Sequence, residues 1–329
     1  MTGLLVSAAF LDAFGDDLSR AEAEAGIRLD RIVLPRDPDA RLAARDVDRV
    51  ELAFFSYDIY PVWSRQFFAA AQGAKNLRWL HVFNAGVDNP VFGRFLERGV
   101  RLSTSAGSTA VPIAQTAIAG LLMLARGFPH WLAAQREHRW APLPGDRIPD
   151  DLEGQVAVIF GLGAIGREIA RLARTLGLRV VGVRRTPLRP GDPVDELHHP
   201  SALGELLPRA QWLILAAPLT PETHHVIDAS ALALLPRGAR VLNVGRGALI
   251  DEPALIEALR GGHLGGAYLD VFEEEPLPAD SPLWEMPGVI ITPHNSAAST
   301  GNAGRSAAMF FENLKRWARG GPLLNEVGR

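Results

Sequence analysis

Three charged features in the second half of the chain each follow the end of a predicted strand. They are Arg246 after residues 240–244, the acidic run 273–275 after residues 267–271, and His294 after residues 289–292. In an open α/β sheet, ligands bind beyond the carboxyl ends of the strands, so an arginine, an acid and a histidine could share one crevice here. Such a set suits the reduction of a 2-keto acid. The guanidinium would bind the carboxylate, the imidazole would protonate the carbonyl oxygen, and the acid would orient the imidazole.

Each of these residues has a plainer interpretation when it is considered alone. His294 could be an ordinary surface histidine, residues 273–275 a solvated acidic turn, and Arg246 a loop anchor. Their occurrence after three strands of one pattern favours a shared chemical role. The histidine pairs at 198–199 and 224–225 have no thiolate or acidic cluster beside them, so the sequence predicts no metal site.

A glycine pattern directly follows the predicted strand 156–160, with Gly161, Gly163 and Gly166 at its fixed positions. The helix that it opens has apolar residues at i, i+3, i+4 and i+7 from Ile169. In this context the first glycine permits a tight turn, the second lets the backbone approach a pyrophosphate, and the third lets helix and strand pack closely. The pattern predicts a dinucleotide bound at the helix N-terminus.

The choice of dinucleotide is indicated by the end of the next strand, which reads Val183-Arg184-Arg185-Thr186. An NAD enzyme usually carries an acidic residue here for the ribose hydroxyls. A carboxylate would repel a 2′-phosphate, whereas a guanidinium binds it through charge-assisted hydrogen bonds. We therefore expect Arg184, Arg185 and Thr186 to favour NADP(H), with NAD as the alternative. In a chain this rich in arginine, the pair could also be an ordinary surface feature.

The composition excludes several other kinds of chemistry. The 329-residue chain has no cysteine and only two lysines, Lys75 and Lys315, which rules out thiolate metal sites and disfavours P-loop and pyridoxal chemistry. A net charge of −3 gives no basic surplus for nucleic acid or an anionic membrane. The N-terminus lacks the charged flank of a signal peptide, and no apolar run is long enough to span a membrane. These features predict a cytoplasmic protein with a small-molecule partner.

Apolar strand-like segments alternate with helical patterns along most of the chain. The predicted strands are 4–8, 31–34, 51–55, 79–83, 156–160, 179–183, 212–216, 240–244, 267–271 and 289–292. This alternation predicts an α/β fold with parallel sheets, doubly wound in the second half. A long apolar helix at 111–126 is expected to be buried or to form an interface, and a C-terminal helix is expected from about 300 to 318. Residues 128–150 are predicted to leave the compact domain.

Six segments together carry a resemblance to a known family. They are NAGVDN at 84–89, GLGAIG at 161–166, PLTPET at 218–223, NVGRGALID at 243–251, DVFEEEP at 270–276 and TPH at 292–294. In these segments the chain resembles the D-isomer-specific 2-hydroxyacid dehydrogenases, which include glyoxylate/hydroxypyruvate reductases. The resemblance implies a flavodoxin-like substrate domain, residues 1–104 and 295–329, with a Rossmann dinucleotide-binding domain inserted at 105–294. Both domains would have doubly wound parallel sheets, with substrate bound in the cleft between them.

The resemblance also implies roles for individual residues. Arg246 would bind the carboxylate and polarise the keto group, His294 would be the acid–base residue, and Glu275 would support His294. Backbone amides of Ala85, Gly86 and Val87 would complete carboxylate binding. The residues matching dinucleotide-lining positions are Ala164, Ile165, Ala217, Pro218, Thr223, Val244 and Asp270, and Gly245, Arg246 and His294 are expected to contact the cofactor as well.

The implied reaction is hydride transfer between NADP(H) and a small 2-keto acid or its D-2-hydroxy acid, in a homodimer favoured by the family and by the apolar helix. One alternative is a formate- or phosphite-type dehydrogenase of the same fold, and another is a dinucleotide-sensing, corepressor-like binding protein. The chain departs from the family after His294, where residues 295–298 (NSAA) replace the usual glycine-rich turn. This departure leaves the contacts on the nicotinamide side open.

Overall fold

The computed structural model describes residues 1–37, 39–87, 89–145 and 148–328. The chain forms two compact units. Unit 1 consists of Met1–Ser108 with Ser299–Arg329, and unit 2 consists of Thr109–Ala298. At both crossings the chain changes unit four residues later than the predicted boundaries, 104/105 and 294/295.

Unit 1 is built on a five-stranded parallel sheet with the order β2-β1-β3-β4-β5. The strands are β1 (Thr2–Val6), β2 (Leu29–Val33), β3 (Val50–Phe55), β4 (Trp79–Val82) and β5 (Arg101–Thr104). The helices are α1 (Ala8–Ala25), α2 (Ala44–Val47), α3 (Ser64–Gly73), α4 (Pro90–Glu97) and a C-terminal helix (Asn302–Ala318). This strand order is the flavodoxin-like one, which confirms the predicted fold of this part of the chain.

Both faces of the unit 1 sheet are covered, because successive residues of its strands enter different buried clusters. Leu5 and Ala53 belong to one cluster, whereas Leu4 and Leu52 belong to the other. The second cluster includes Phe310 of the C-terminal helix. That helix packs on α1, so the end of the chain completes the core of unit 1.

Unit 2 is built on a seven-stranded parallel sheet with the order β12-β11-β10-β9-β6-β7-β8. The strands are β6 (Val156–Phe160), β7 (Arg179–Val183), β8 (Glu196–His198), β9 (Trp212–Leu215), β10 (Arg240–Asn243), β11 (Gly266–Leu269) and β12 (Val289–Ile291). The chain builds outward from β6 to β8 and then outward from β9 to β12 in the opposite direction. This is the Rossmann order, and ligands of such sheets bind where the order reverses, here between β6 and β9.

The helices of unit 2 include one, Ala110–Ala125, in which ten of 16 residues are buried. They are α5 (Ala110–Ala125), α6 (Phe128–Arg136), α7 (Ala164–Thr175), α8 (Leu203–Leu206), α9 (Ala229–Leu234) and α10 (Glu252–Arg260). Helix α5 packs on α7 and β11, and Gly120 lies directly against the Tyr268 ring. The apolar helix expected at 111–126 therefore contributes to the core of its own unit, while Val111, Gln115 and Ala119 are exposed. No single helix in the described ranges is long and apolar enough to cross a membrane, and α5 and α6 reach that length only across a 76° bend.

Candidate active site

The glycine turn after β6 has the geometry that a dinucleotide needs. Gly161 has a φ of +97°, and a Cβ there would lie 2.4 Å from the Ala217 backbone nitrogen. A Cβ at Gly166 would lie 2.0 Å from the Gly161 carbonyl oxygen, so this glycine lets α7 pack closely on the turn. A Cβ at Gly163 would meet no atom within 4 Å, and Gly163 is exposed at the N-cap of α7. The open backbone at this helix N-terminus fits a pyrophosphate group.

The remaining predicted dinucleotide contacts of unit 2 lie on segments that leave the carboxyl edge of the same sheet. The loop from Pro218 to Thr223 follows β9, and the Thr223 hydroxyl holds it by donating to the Pro218 carbonyl at 2.8 Å and accepting from the Thr220 N–H at 2.8 Å. Pro218 is exposed within this loop. The other positions are exposed Ala164 and half-buried Ile165 at the start of α7, and buried Ala217, Val244 and Gly245 after β9 and β10.

Of the two arginines after β7, one has a largely buried, ion-paired side chain and the other is exposed. The Arg184 side chain is only 9% exposed, and its Nη2 lies 2.6 Å from Oδ2 of Asp192, whose side chain is fully buried and also pairs with Arg167. Burial lowers the pKa of Arg184, and the charges of Arg189 and Arg167 lower it further. Arg185 and the neighbouring Thr186 are exposed. The structure thus differs from the expectation that both arginines are presented to a cofactor, since Arg184 is turned into its own loop.

The turn that carries Arg246 is shaped by a buried asparagine at the end of β10. Asn243 donates from Nδ2 to the Arg246 carbonyl at 2.9 Å, and its Oδ1 accepts from the Gly245 N–H at 3.0 Å. Arg246 is half-buried and donates from Nη1 to the Gly245 carbonyl at 2.8 Å. The next residue, Gly247, packs so tightly that a Cβ would lie 1.8 Å from the Phe272 carbonyl carbon. The arginine turn after β10 and the acidic turn after β11 are therefore in direct contact.

His294 and Glu275 form the pair that the resemblance implies. His294 Nδ1 lies 2.7 Å from Glu275 Oε2, and Glu275 Oε1 accepts from the Phe272 N–H at 3.1 Å, so both carboxylate oxygens are engaged. The His294 side chain is 51% exposed. Its backbone has a φ of +49°, a conformation that costs a non-glycine residue about 1–3 kcal/mol and that clusters at functional sites.

Asp270 holds the turn on which His294 lies. Its side chain is buried, and Oδ1 accepts from the Asn295 N–H at 2.9 Å, from the Ser296 N–H at 3.0 Å and from the Thr292 hydroxyl at 2.6 Å. The Asp270 carbonyl accepts from the His294 N–H at 2.8 Å. The sequence NSAA that replaces the family's glycine-rich turn is thus tied to Asp270 through its first two residues.

Tyr268 supports the same turn from within the sheet. Its hydroxyl is 2.8 Å from Thr292 Oγ1, and because the Thr292 proton points to Asp270, the tyrosine is the donor. Burial raises the pKa of Tyr268 to about 12, which keeps the hydroxyl protonated and able to donate.

The predicted carboxylate-binding loop of unit 1 follows β4. Ala85 is exposed, Gly86 and Val87 are half-buried, and the Asn84 side chain bonds to the Gly86 carbonyl. Asp88 of the same motif lies outside the described residues. The loop leads into α4, which is capped by the Asn89 side chain accepting from the Val91 N–H at 2.9 Å.

The turn-forming roles of Asn243 and Asp270 were missed by the sequence reasoning. Both belong to quoted motifs, and the signal available was a polar side chain placed at the end of an otherwise apolar strand. Such a side chain is buried at low cost only when hydrogen bonds satisfy it, as they do in both turns. In the ranges that the structure describes, no group of three or more histidine or acidic side chains is placed to hold a metal ion.

Comparisons with known proteins agree with this fold. The model of the D-isomer specific 2-hydroxyacid dehydrogenase NAD binding domain matches residues 118–296. Over 254 residues the chain is 33% identical to a glyoxylate reductase from Korarchaeum cryptofilum, which covers 76% of this chain and 75% of that protein. A D-isomer specific 2-hydroxyacid dehydrogenase family protein from Aeromonas salmonicida matches with 31% identity and a TM-score of 0.78, over 99% of this chain and 98% of the other. Another such dehydrogenase, from Xanthobacter autotrophicus Py2 in complex with NADPH and MES, matches over the same shares with 32% identity and a TM-score of 0.76.

Proposed function

Since the chain belongs to the D-isomer-specific 2-hydroxyacid dehydrogenase family, we propose that it is an NADP(H)-dependent reductase of a small 2-keto acid, of the glyoxylate or hydroxypyruvate type. The observation that carries the proposal is the His294–Glu275 pair, 2.7 Å apart, on the segments that follow β12 and β11. Arg246 follows the adjacent strand β10. The three side chains are those that a keto acid requires for binding and for protonation.

The proposal gives each side chain a distinct task. The guanidinium of Arg246 binds the substrate carboxylate and polarises the keto oxygen. His294 donates the proton that this oxygen accepts, and Glu275 holds the ring with Nδ1 toward the carboxylate, which leaves Nε2 for the substrate. The backbone amides of Ala85, Gly86 and Val87 are proposed as further donors to the substrate carboxylate.

The cofactor is proposed to lie along the carboxyl edge of the unit 2 sheet. The open backbone at Gly163 and Ala164 would hold the pyrophosphate, and the cofactor positions after β9 and β10 would line the rest. When bound, a reduced nicotinamide supplies the hydride that the keto carbon accepts.

The preference for NADP(H) is proposed to depend on Arg185 and Thr186. Both are exposed after β7, where an NAD enzyme usually has a carboxylate. Arg184 acts indirectly, because its bonds to Asp192 and to the Thr186 carbonyl, at 2.6 and 2.9 Å, fix the loop that presents the other two. A guanidinium and a hydroxyl at this place suit a 2′-phosphate.

Steady-state assays with glyoxylate, hydroxypyruvate and bulkier 2-keto acids, each with NADPH and NADH, test the proposal. We expect NADPH consumption with at least one keto acid and a lower KM for NADPH than for NADH. Arg185→Ala should raise the KM for NADPH roughly tenfold, the effect expected from the loss of about one charge-assisted hydrogen bond. The KM for NADH should be unchanged. The matched control is Arg171→Ala, another exposed arginine on the same unit, which pairs with Glu168.

The other outcomes of this assay identify the alternatives. A lower KM for NADH overturns the cofactor assignment. Oxidation of formate or phosphite without keto acid reduction indicates the dehydrogenase alternative, and tight cofactor binding without any turnover indicates the corepressor-like alternative.

We also propose that the chain forms a homodimer, through the region that follows α5. Trp140 is 98% exposed, and the exposed apolar residues of this region also include Phe128, Trp131, Leu132 and Ile148. Contiguous exposed apolar surface is typical of protein interfaces. Light scattering is expected to give the mass of two chains, and Trp140→Ser is expected to shift it toward one; a wild-type monomer would contradict the proposal.

A further inference from the structure

A second histidine lies close to the turn that carries Glu275. His225 Nε2 is 2.6 Å from Oε1 of Glu273, two residues before Glu275. The His225 backbone N–H donates at 2.8 Å to the carbonyl oxygen of Ala248, two residues after Arg246. A single residue therefore contacts both segments on which the reacting groups are carried.

The acidic turn is held by hydrogen bonds at both Glu273 and Glu275. The Glu252 N–H donates to Glu273 Oε1 at 3.2 Å, and the Glu273 N–H donates to Glu252 Oε2 at 3.1 Å, so the turn is fastened to the start of α10. Glu275 Oε1 in turn accepts from the N–H of Phe272, the residue before Glu273. With Gly247 packed against the Phe272 carbonyl, the turn has little room for an alternative position.

The backbone of His225 points to the same constraint. Its φ is +49°, equal to that of His294. Non-glycine residues adopt this conformation only where surrounding contacts enforce it, and they cluster at functional sites. For His225 the enforcing contacts include the bonds to Ala248 and Glu273.

We propose that His225 is a positioning residue of the reductase. Its two contacts fix the turn that orients His294 through Glu275 relative to the turn that carries Arg246. This inference rests on the proposed function, because the roles of Glu275, His294 and Arg246 come from it. Ion pairs as exposed as this one add little to stability, so the effect falls on catalysis rather than on folding.

The test compares three variants of the full chain. His225→Ala removes the donor to Glu273, and His225→Gln keeps an amide N–H at the position of Nε2. His198→Ala is the matched control, because His198 forms a comparable pair with Glu196 at 2.9 Å on β8, at the far edge of the same sheet, with similar exposure of 34% and 23% against 36% and 30%.

We expect His225→Ala to lower kcat roughly 5- to 20-fold, in line with displacement of a catalytic group by less than an ångström. The KM for NADPH and the thermal midpoint should match those of the control. His225→Gln should recover most of kcat. A second readout does not depend on turnover: the downfield NMR signal of the His294 Nδ1–H, identified by its loss in His294→Ala, should weaken in His225→Ala and persist in His225→Gln and His198→Ala.

The inference is overturned if His225→Ala retains either the kcat of His198→Ala or the full His294 signal. It is also overturned if His225→Gln loses as much kcat and as much of the His294 signal as His225→Ala does. A positioning role needs only the hydrogen-bond donor to Glu273, which His225→Gln keeps. If the wild-type chain reduces no 2-keto acid, the proposed function fails, and the NMR signal still decides whether His225 positions the Glu275–His294 pair.

Discussion

Each unit of the chain has a histidine associated with its parallel sheet, and the two have opposite surroundings. His81, in β4 of unit 1, is fully buried, with Nδ1 2.7 Å from the Ser103 hydroxyl and Nε2 3.0 Å from the Ser105 hydroxyl. His294, after β12 of unit 2, is half-exposed and paired with Glu275. The first has neutral partners on both nitrogens, whereas the second has a carboxylate at Nδ1 and a half-exposed side chain.

The difference shows that partners and access, rather than residue type, decide what a histidine does. Burial lowers the pKa of His81 to about 3, so this ring stays neutral and acts as a hydrogen-bonding element of the core. Half of the His294 side chain is exposed, so a bound molecule can reach it. The comparison assigns His81 to the stability of unit 1 and is consistent with the role proposed for His294.

The largest expected effect comes from removing the unit 2 histidine. His294→Ala should lower kcat for keto acid reduction by about 100- to 10,000-fold, because it removes the proposed general acid. Its thermal midpoint should stay close to that of the wild type, since the side chain is half-exposed. Steady-state kinetics and a thermal melt measure the two effects.

His81→Gln is the matched comparison for this variant. It should lower the thermal midpoint and leave kcat within about threefold of the wild type, because the site residues of unit 2 are unchanged. A loss of kcat below tenfold in His294→Ala would remove this residue from the mechanism and break the contrast between the two histidines.

The strands of both units were largely predictable from apolar alternation. Every predicted strand is present, within two residues at each end. The strands β5 (RLST) and β8 (ELH) were not predicted, because short segments with more polar than apolar residues carry no clear period. Both lie at sheet edges, where one neighbour is missing and polar side chains remain solvated.

The site was predictable in residue type but not in detail. Strand ends gave an arginine, an acid and a histidine, yet alternation could not distinguish Glu273 from Glu275. In the structure Glu275 meets His294 and Glu273 meets His225, and this choice depends on the path of the turn. The pairing of Arg184 with Asp192 was equally unpredictable from the sequence, because Asp192 lies eight residues away in a loop without periodicity.

A smaller effect is expected from replacing Arg246 by lysine at the carboxyl edge of the unit 2 sheet, the edge at which His294 also lies. Arg246→Lys should lower kcat/KM about 10- to 100-fold, because an ammonium loses one of two charge-assisted hydrogen bonds of a planar fork. The fold should be unchanged, since the Asn243 bonds that shape this turn go to backbone groups. Kinetics with a 2-keto acid measure the change, and a loss below threefold would contradict bidentate binding by Arg246.

The smallest expected effect is the pH dependence that His81 gives to stability. Its pKa is about 3 in the folded chain against 6.5 when exposed, so the unfolded chain binds a proton that the folded chain excludes. Stability is therefore complete above pH 6.5 and is lost as the pH falls toward 3. Between pH 7.5 and pH 5 the loss should be about 2 kcal/mol in the free energy of unfolding.

Urea unfolding at the two pH values measures this loss, and His81→Gln supplies the control. Unit 1 contains no other histidine. The variant should therefore be less stable than the wild type, and the pH dependence of stability that remains over this range should come mainly from unit 2. If the wild type and His81→Gln lose the same free energy between pH 7.5 and 5, then the folded chain accommodates a charged His81. The claim that buried His81 stays neutral would then be wrong, and with it the contrast between the two histidines, whatever the kinetics of His294→Ala show.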